Sequence, residues 1–85
     1  MTRAVGVPAW PRIPADERMS HADHVCAEAR LREWLRELAQ AATSAALERC
    51  GDHLAQSAQV LGHRRYWEAV GHWADRTIAL HEVQP

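Results

Sequence analysis

The chain has no lysine and no phenylalanine, and only two cysteines, Cys26 and Cys50. Without lysine, all ten basic residues are arginine, and eleven carboxylates bring the net charge to −1. So balanced a chain lacks the basic footprint that nucleic acid normally requires. Without phenylalanine, the bulky apolar residues are leucine, valine, two isoleucines and four tryptophans, and much of the 47% hydrophobic share is alanine. Alanine favours helix while adding little buried area. Two cysteines make no disulfide framework, and with no secretory signal the expectation is reduced thiols in a cytoplasmic protein. No apolar run approaches the length of a membrane span.

Eighty-five residues allow one domain. A chain this short buries a modest fraction of its surface and is marginally stable unless a metal, a disulfide or self-association adds to it. Met1 to Pro14 reads as an extended N-terminal arm, because Pro8, Pro11 and Pro14 recur every three residues, the period of polyproline II. Each proline also pushes its predecessor out of the α region. Val7, Trp10 and Ile13 share that three-residue spacing. Such an arm either folds back to lay Trp10 on the helices or, with Arg12 beside the prolines, serves as a ligand for a groove that takes proline-rich peptides.

From Ala15 to Val83 there is no proline and no strand-type alternation, so residues 15–85 read as one all-α domain. Pro14, Asp16 and Glu17 suit the positive end of a helix. Ser20, with Asp23 three residues on, suits a fresh start closed by a capping box. Leu31, Leu35, Leu38, Ala42 and Ala45 form a 4-3-4-3 stripe with Trp34 beside it. The strongest break is Cys50-Gly51-Asp52, with Thr43-Ser44 and Gly62-His63 as further candidates. Beyond Gly62, Tyr66, Val70, Trp73, Thr77 and Leu80 hold a new register that Trp67, Ala74 and Ile78 widen. The preferred architecture is a helical hairpin turning at Gly51, and the alternative is a three-helix bundle broken near Thr43 or Gly62. A bare hairpin covers one side of each helix and would pair into a dimeric four-helix bundle.

Six histidines in so short a chain raise three kinds of chemistry. His21 and His24 share a helix face, and a turn at Gly51 would bring His81 level with them, with Glu28 nearby. That set suits zinc or another divalent ion. Cys50-x-x-His53 with His21-x-x-His24 has zinc-like spacing, but in a hairpin the two pairs lie roughly 40 Å apart. His63, His72 and His81 repeat every nine residues, two and a half turns, so alternate members face opposite ways and form no single pH-sensing patch. Finally, Arg65 and His72, with six residues between, resemble the arginine-histidine motif of the helical HEPN ribonucleases. The resemblance covers eight residues, and Tyr66 stands where a polar residue commonly follows the arginine. It implies catalysis. No nucleophile elbow, phosphate loop or CxxC pair accompanies it, and the reading is that the chain is not an enzyme.

Tyr66, Trp67 and Trp73 lie within eight residues, beside Arg64 and Arg65. Tryptophan, tyrosine and arginine are enriched at protein interfaces, and arginines beside aromatics also stack on single-stranded bases. The function expected is a non-enzymatic helical interaction module that binds itself, most simply as a homodimer, or another protein. Its contact residues would be Trp10, Trp34, Tyr66, Trp67 and Trp73, with no cofactor and no membrane. A metal-binding helical protein using His21, His24 and His81 is the alternative. A helical nucleic-acid-binding domain comes third, and needs a contiguous surface built from Arg30, Arg36, Arg49, Arg64, Arg65 and Arg76.

Overall fold

A computed structural model describes residues 13–83. It is all-helical: a single 3-10 turn at Asp16–Arg18 precedes α1 (His21–Gln40), α2 (Ser44–Leu61) and α3 (His63–Val83). Among the described residues there is no strand. Met1 to Arg12 of the expected arm, Trp10 included, lie outside the described residues.

Each boundary has a local cause. The Ser20 hydroxyl accepts the Asp23 N–H at 3.1 Å while the Asp23 carboxylate accepts the Ser20 N–H at 2.9 Å. This reciprocal box opens α1 and satisfies two donors that a helix start otherwise leaves free. Thr43 opens α2 with a one-way cap, its Oγ1 accepting the Ala46 N–H at 3.1 Å from extended backbone. Gly62 separates α2 from α3 with φ +83°, a backbone state that disfavours side chains. A Cβ there would also run into the Met19 sulfur.

Of the two architectures expected, three helices are what form, and the turn predicted at Gly51 is absent. Gly51 lies inside α2, where the Trp73 ring approaches to 3.5 Å of where its Cβ would be. The glycine therefore admits an indole against the helix backbone. The stripe expected to run through Thr43 also stops. Leu38 is buried, but Ala42 and Ala45 are exposed. Two alanines had continued the 4-3 count without bulk to enforce it, and the threonine cap outweighed them.

α2 supplies the buried spine, with Leu47, Cys50, Leu54, Ala58 and Leu61 all shielded at 3-4-4-3 spacing. Ala27, Trp34 and Leu38 of α1 and Ala69 of α3 close on it, with Leu31, Leu35, Tyr66, Val70, Trp73 and Leu80 half-buried around the margin. Complete burial of a leucine such as Leu61 contributes about 1.5–3 kcal/mol. Two polar anchors fix the ends of the bundle. The Arg76 guanidinium of α3 donates to the Ala41 carbonyl at 2.8 Å, stopping the C-terminus of α1. The Pro14 carbonyl accepts the His63 N–H at 2.8 Å, and the Asp16 carboxylate accepts the Arg64 N–H at 2.9 Å.

Candidate functional site

α3 has two unlike faces. Its inward face carries Arg65, Ala69, Trp73, Arg76 and Leu80 against α1 and α2. Its outward face carries Trp67, Gly71, Ala74 and Ile78, spaced 4-3-4 and so one above another. Trp67 is 53% exposed and Ile78 is 58% exposed. Between them Gly71 is open, with nothing within 4 Å of where a Cβ would sit. The surface is therefore a shallow notch of small residues between two bulky apolar ones. At its upper end the Trp67 ring stands edge-on to Tyr66, with centroids 5.2 Å apart, and to His63 at 6.3 Å. These edge contacts hold the indole in place without covering it.

The five residues expected to make a contact divide four ways. Trp34 is 2% exposed and its Nε1–H donates to the Cys50 carbonyl at 2.8 Å, so it belongs to the core. Trp73 is half-buried and donates to the Leu47 carbonyl, also at 2.8 Å. Tyr66 is half-buried at the core margin, and Trp67 faces outward. Trp10 lies outside the described residues. The signal that separates Trp67 from Trp73 was present but subtle. Trp73 sits on the central line of the stripe, and Trp67 sits on its widened edge.

The histidine set expected to bind a metal does not converge. The hairpin would have placed His81 beside His21 and His24. In the three-helix arrangement Arg65, near the start of α3, is what meets His24. His81 lies sixteen residues further along α3, about 24 Å away at the helical rise. The His24 ring nitrogen is 3.0 Å from the Arg65 guanidinium, a cationic neighbour unsuited to a metal ligand. Among the described residues no group of three or more histidines, cysteines or carboxylates could hold a metal ion.

Arg65 and His72 lie two turns apart on α3 and take different partners. Arg65 is 5% exposed and turned onto α1, with Glu28 Oε2 at 3.5 Å, while His72 is exposed beside Glu68 at 4.0 Å. With Arg65 and Arg76 turned inward and Arg64 paired to Asp16 at 3.3 Å, three of the arginines expected to make a basic surface are engaged in the fold. Burial and the nearby Glu37 carboxylate push the Cys50 thiol up, away from the thiolate that nucleophilic chemistry requires. Cys26 is an exposed free thiol. Among the described residues no helix is long and apolar enough to cross a membrane.

The links between Asp16 and Arg64 and between Arg76 and Ala41 had no sequence signature. They join residues 48 and 35 positions apart, and a lone aspartate or arginine does not name its partner. No protein-family model, curated protein or solved structure was found to match the chain.

Proposed function

We propose that the chain is a non-enzymatic helical interaction module that associates with a second copy of itself through the outward face of α3. The observation that supports this reading is the pairing of Trp67 and Ile78, each more than half exposed, on one line of a helix whose opposite face is already buried. Exposed large apolar residues that line up around a notch favour contact with another protein over isolated exposure to water. Small residues at the centre let two helix backbones approach closely, and the flanking indole provides the anchor typical of interface hot spots. Two copies laid antiparallel would set each Trp67 against the other copy's Ile78, with arginine-carboxylate pairs at the rim fixing the register.

The test is molecular mass in solution across a wide concentration range, for the parent chain and for Trp67→Ser and Ile78→Ser. A concentration-dependent rise in mass that either substitution removes would support the reading. A strict monomer at millimolar concentration would end it.

A further inference from the structure

We infer that His63 of one copy and His81 of a second copy bind a divalent metal ion of the zinc class at each end of the paired α3 helices, with Glu17 as the oxygen ligand. The inference rests on the self-association proposed above and names what regulates it. His63, Trp67, Gly71, Ala74, Ile78 and His81 follow one another along α3 at 4-4-3-4-3 spacing, so a histidine closes each end of the outward apolar line. The two histidines are five complete helical turns apart, so they share one side of the helix at a distance of about 27 Å. Both are exposed. The His63 ring already stands edge-on to Trp67, with centroids 6.3 Å apart. Within one copy the two imidazoles are too distant to share an ion, in keeping with the lack of a metal-binding group among the described residues.

A second copy laid antiparallel removes that distance. With Trp67 level with the other copy's Ile78, His63 lies about 6 Å beyond the indole. The other copy's His81 lies about 4.5 Å beyond its isoleucine in the same direction, so the two histidines are level to within about 1.5 Å. The two-fold axis of an antiparallel pair sets the same flank of each helix on the same side of the joint, so both rings fall on one side of it. Packed helices lie about 8–10 Å apart, and small residues such as Gly71 and Ala74 favour the lower figure, a gap that one bridging ion fits. The arrangement repeats at the other end. Charge favours the same orientation, because Arg64 falls level with the other copy's Glu82, whereas a parallel pair would set each beside its own like.

Two imidazole nitrogens and a carboxylate make a ligand set suited to zinc, with water in the fourth position. Glu17 borders the concavity that His63 lines at the start of α3. Asp16, on the same concavity, is already engaged by Arg64, whose Nε lies 3.3 Å from it, and Glu68 takes the same guanidinium at 3.9 Å. The nearest cation is thus neutralised, about 100° round the helix from His63. His72, midway between the two histidines, is half a turn out of line and belongs to neither site.

The experiment is molecular mass in solution for the full chain across a concentration series, once in EDTA and once with excess zinc ion. The parent is compared with His63→Ala, His81→Ala, His72→Ala and Trp67→Ser, and circular dichroism checks that each variant keeps its helices. Zinc filling two sites per pair should raise the association constant of the parent by about tenfold or more. His63→Ala and His81→Ala should each remove that rise, and His72→Ala should keep it. Association in EDTA that zinc does not tighten removes the metal site and leaves self-association standing. A zinc response that survives either histidine substitution, or that Trp67→Ser leaves intact, puts the ion elsewhere and overturns the inference. A monomer under both conditions removes both readings.

Discussion

Trp34 of α1 and Trp73 of α3 donate their indole N–H groups to carbonyls three residues apart on α2, those of Cys50 and Leu47, each at 2.8 Å. Both carbonyls belong to the buried stretch of α2, so one helix is held to both of its neighbours by the same chemical device. An indole combines a large apolar surface with a single donor, and a buried one stabilises fully only when that donor is satisfied. A chain without phenylalanine obtains its bulk this way and fixes helix register at the same time.

Loss of either indole should therefore be costly. Trp34→Ala is expected to lower stability by about 3–5 kcal/mol, enough to unfold a domain of this size. Trp73→Phe keeps most of the contact and loses the donor, costing about 0.5–1.5 kcal/mol. Urea denaturation followed by circular dichroism reads both. Equal losses in the two variants would show that the ring packing and its hydrogen bond had been misassigned.

Gly51 and Gly62 should respond to substitution with opposite signs. A methyl at Gly51 meets Trp73 at ordinary van der Waals distance, inside a helix where alanine is favoured by about 1 kcal/mol, so Gly51→Ala should be neutral to stabilising. Gly62→Ala meets the Met19 sulfur at a positive φ and should destabilise by about 1–3 kcal/mol. Thermal melts of the pair settle the sign. Destabilisation at Gly51 matching that at Gly62 would return the turn to Gly51.

Most of the secondary structure could be read from residue chemistry, because Ser20, Thr43 and Gly62 each announce a boundary by an identifiable property. Which boundaries won could not. Gly51 and Gly62 are alike as letters, and only packing reveals that one receives an indole and the other bends the chain. The interaction surface was half legible for a similar reason. Periodicity puts Trp73 on the central line of the stripe and Trp67 on its edge, but it does not say whether an edge residue stays in water or meets a neighbour. Asp16 suits the start of a helix beginning at Pro14, but it opens only a 3-10 turn, and its carboxylate accepts an N–H at the start of α3. Sequence proximity suggested the wrong partner because the pairing depends on the return of the third helix.

Acid should weaken the fold through two carboxylates. The Arg64 backbone N–H holds Asp16 below its ordinary range, and the Ser20 backbone N–H and hydroxyl do the same for Asp23. Each group is more acidic when folded, so its contribution is fully present above the unfolded value near 3.8 and is lost as pH falls through the lower folded value. Melting temperature should decline below about pH 4, and Asp16→Asn and Asp23→Asn should each flatten that decline while lowering stability at neutral pH. A parent whose melting temperature holds steady down to pH 2 would contradict the assignment.

The buried guanidinium of Arg65 should behave asymmetrically. Its partners His24 and Glu28 are both reachable by water, so Arg65→Met strands no buried charge and should change stability by less than about 1 kcal/mol. Replacing His24 and Glu28 together with alanine leaves the guanidinium shielded and unpaired, at a cost of about 3–5 kcal/mol. The comparison is a pair of denaturation curves. A methionine variant weaker than the double alanine variant would mean that Arg65 acts as a stabilising centre in its own right.

The fastening of residues 14 to 16 onto the start of α3 changes what that helix reports. In a free helix the first amides exchange with solvent at nearly the rate of an unfolded chain. Here those of His63 and Arg64 are held by Pro14 and Asp16, nearly fifty residues upstream. Their deuterium uptake therefore follows the lifting of the N-terminal segment, not the fraying of α3. Two protons at one joint thus serve as a clock for the opening of the opposite end of the chain.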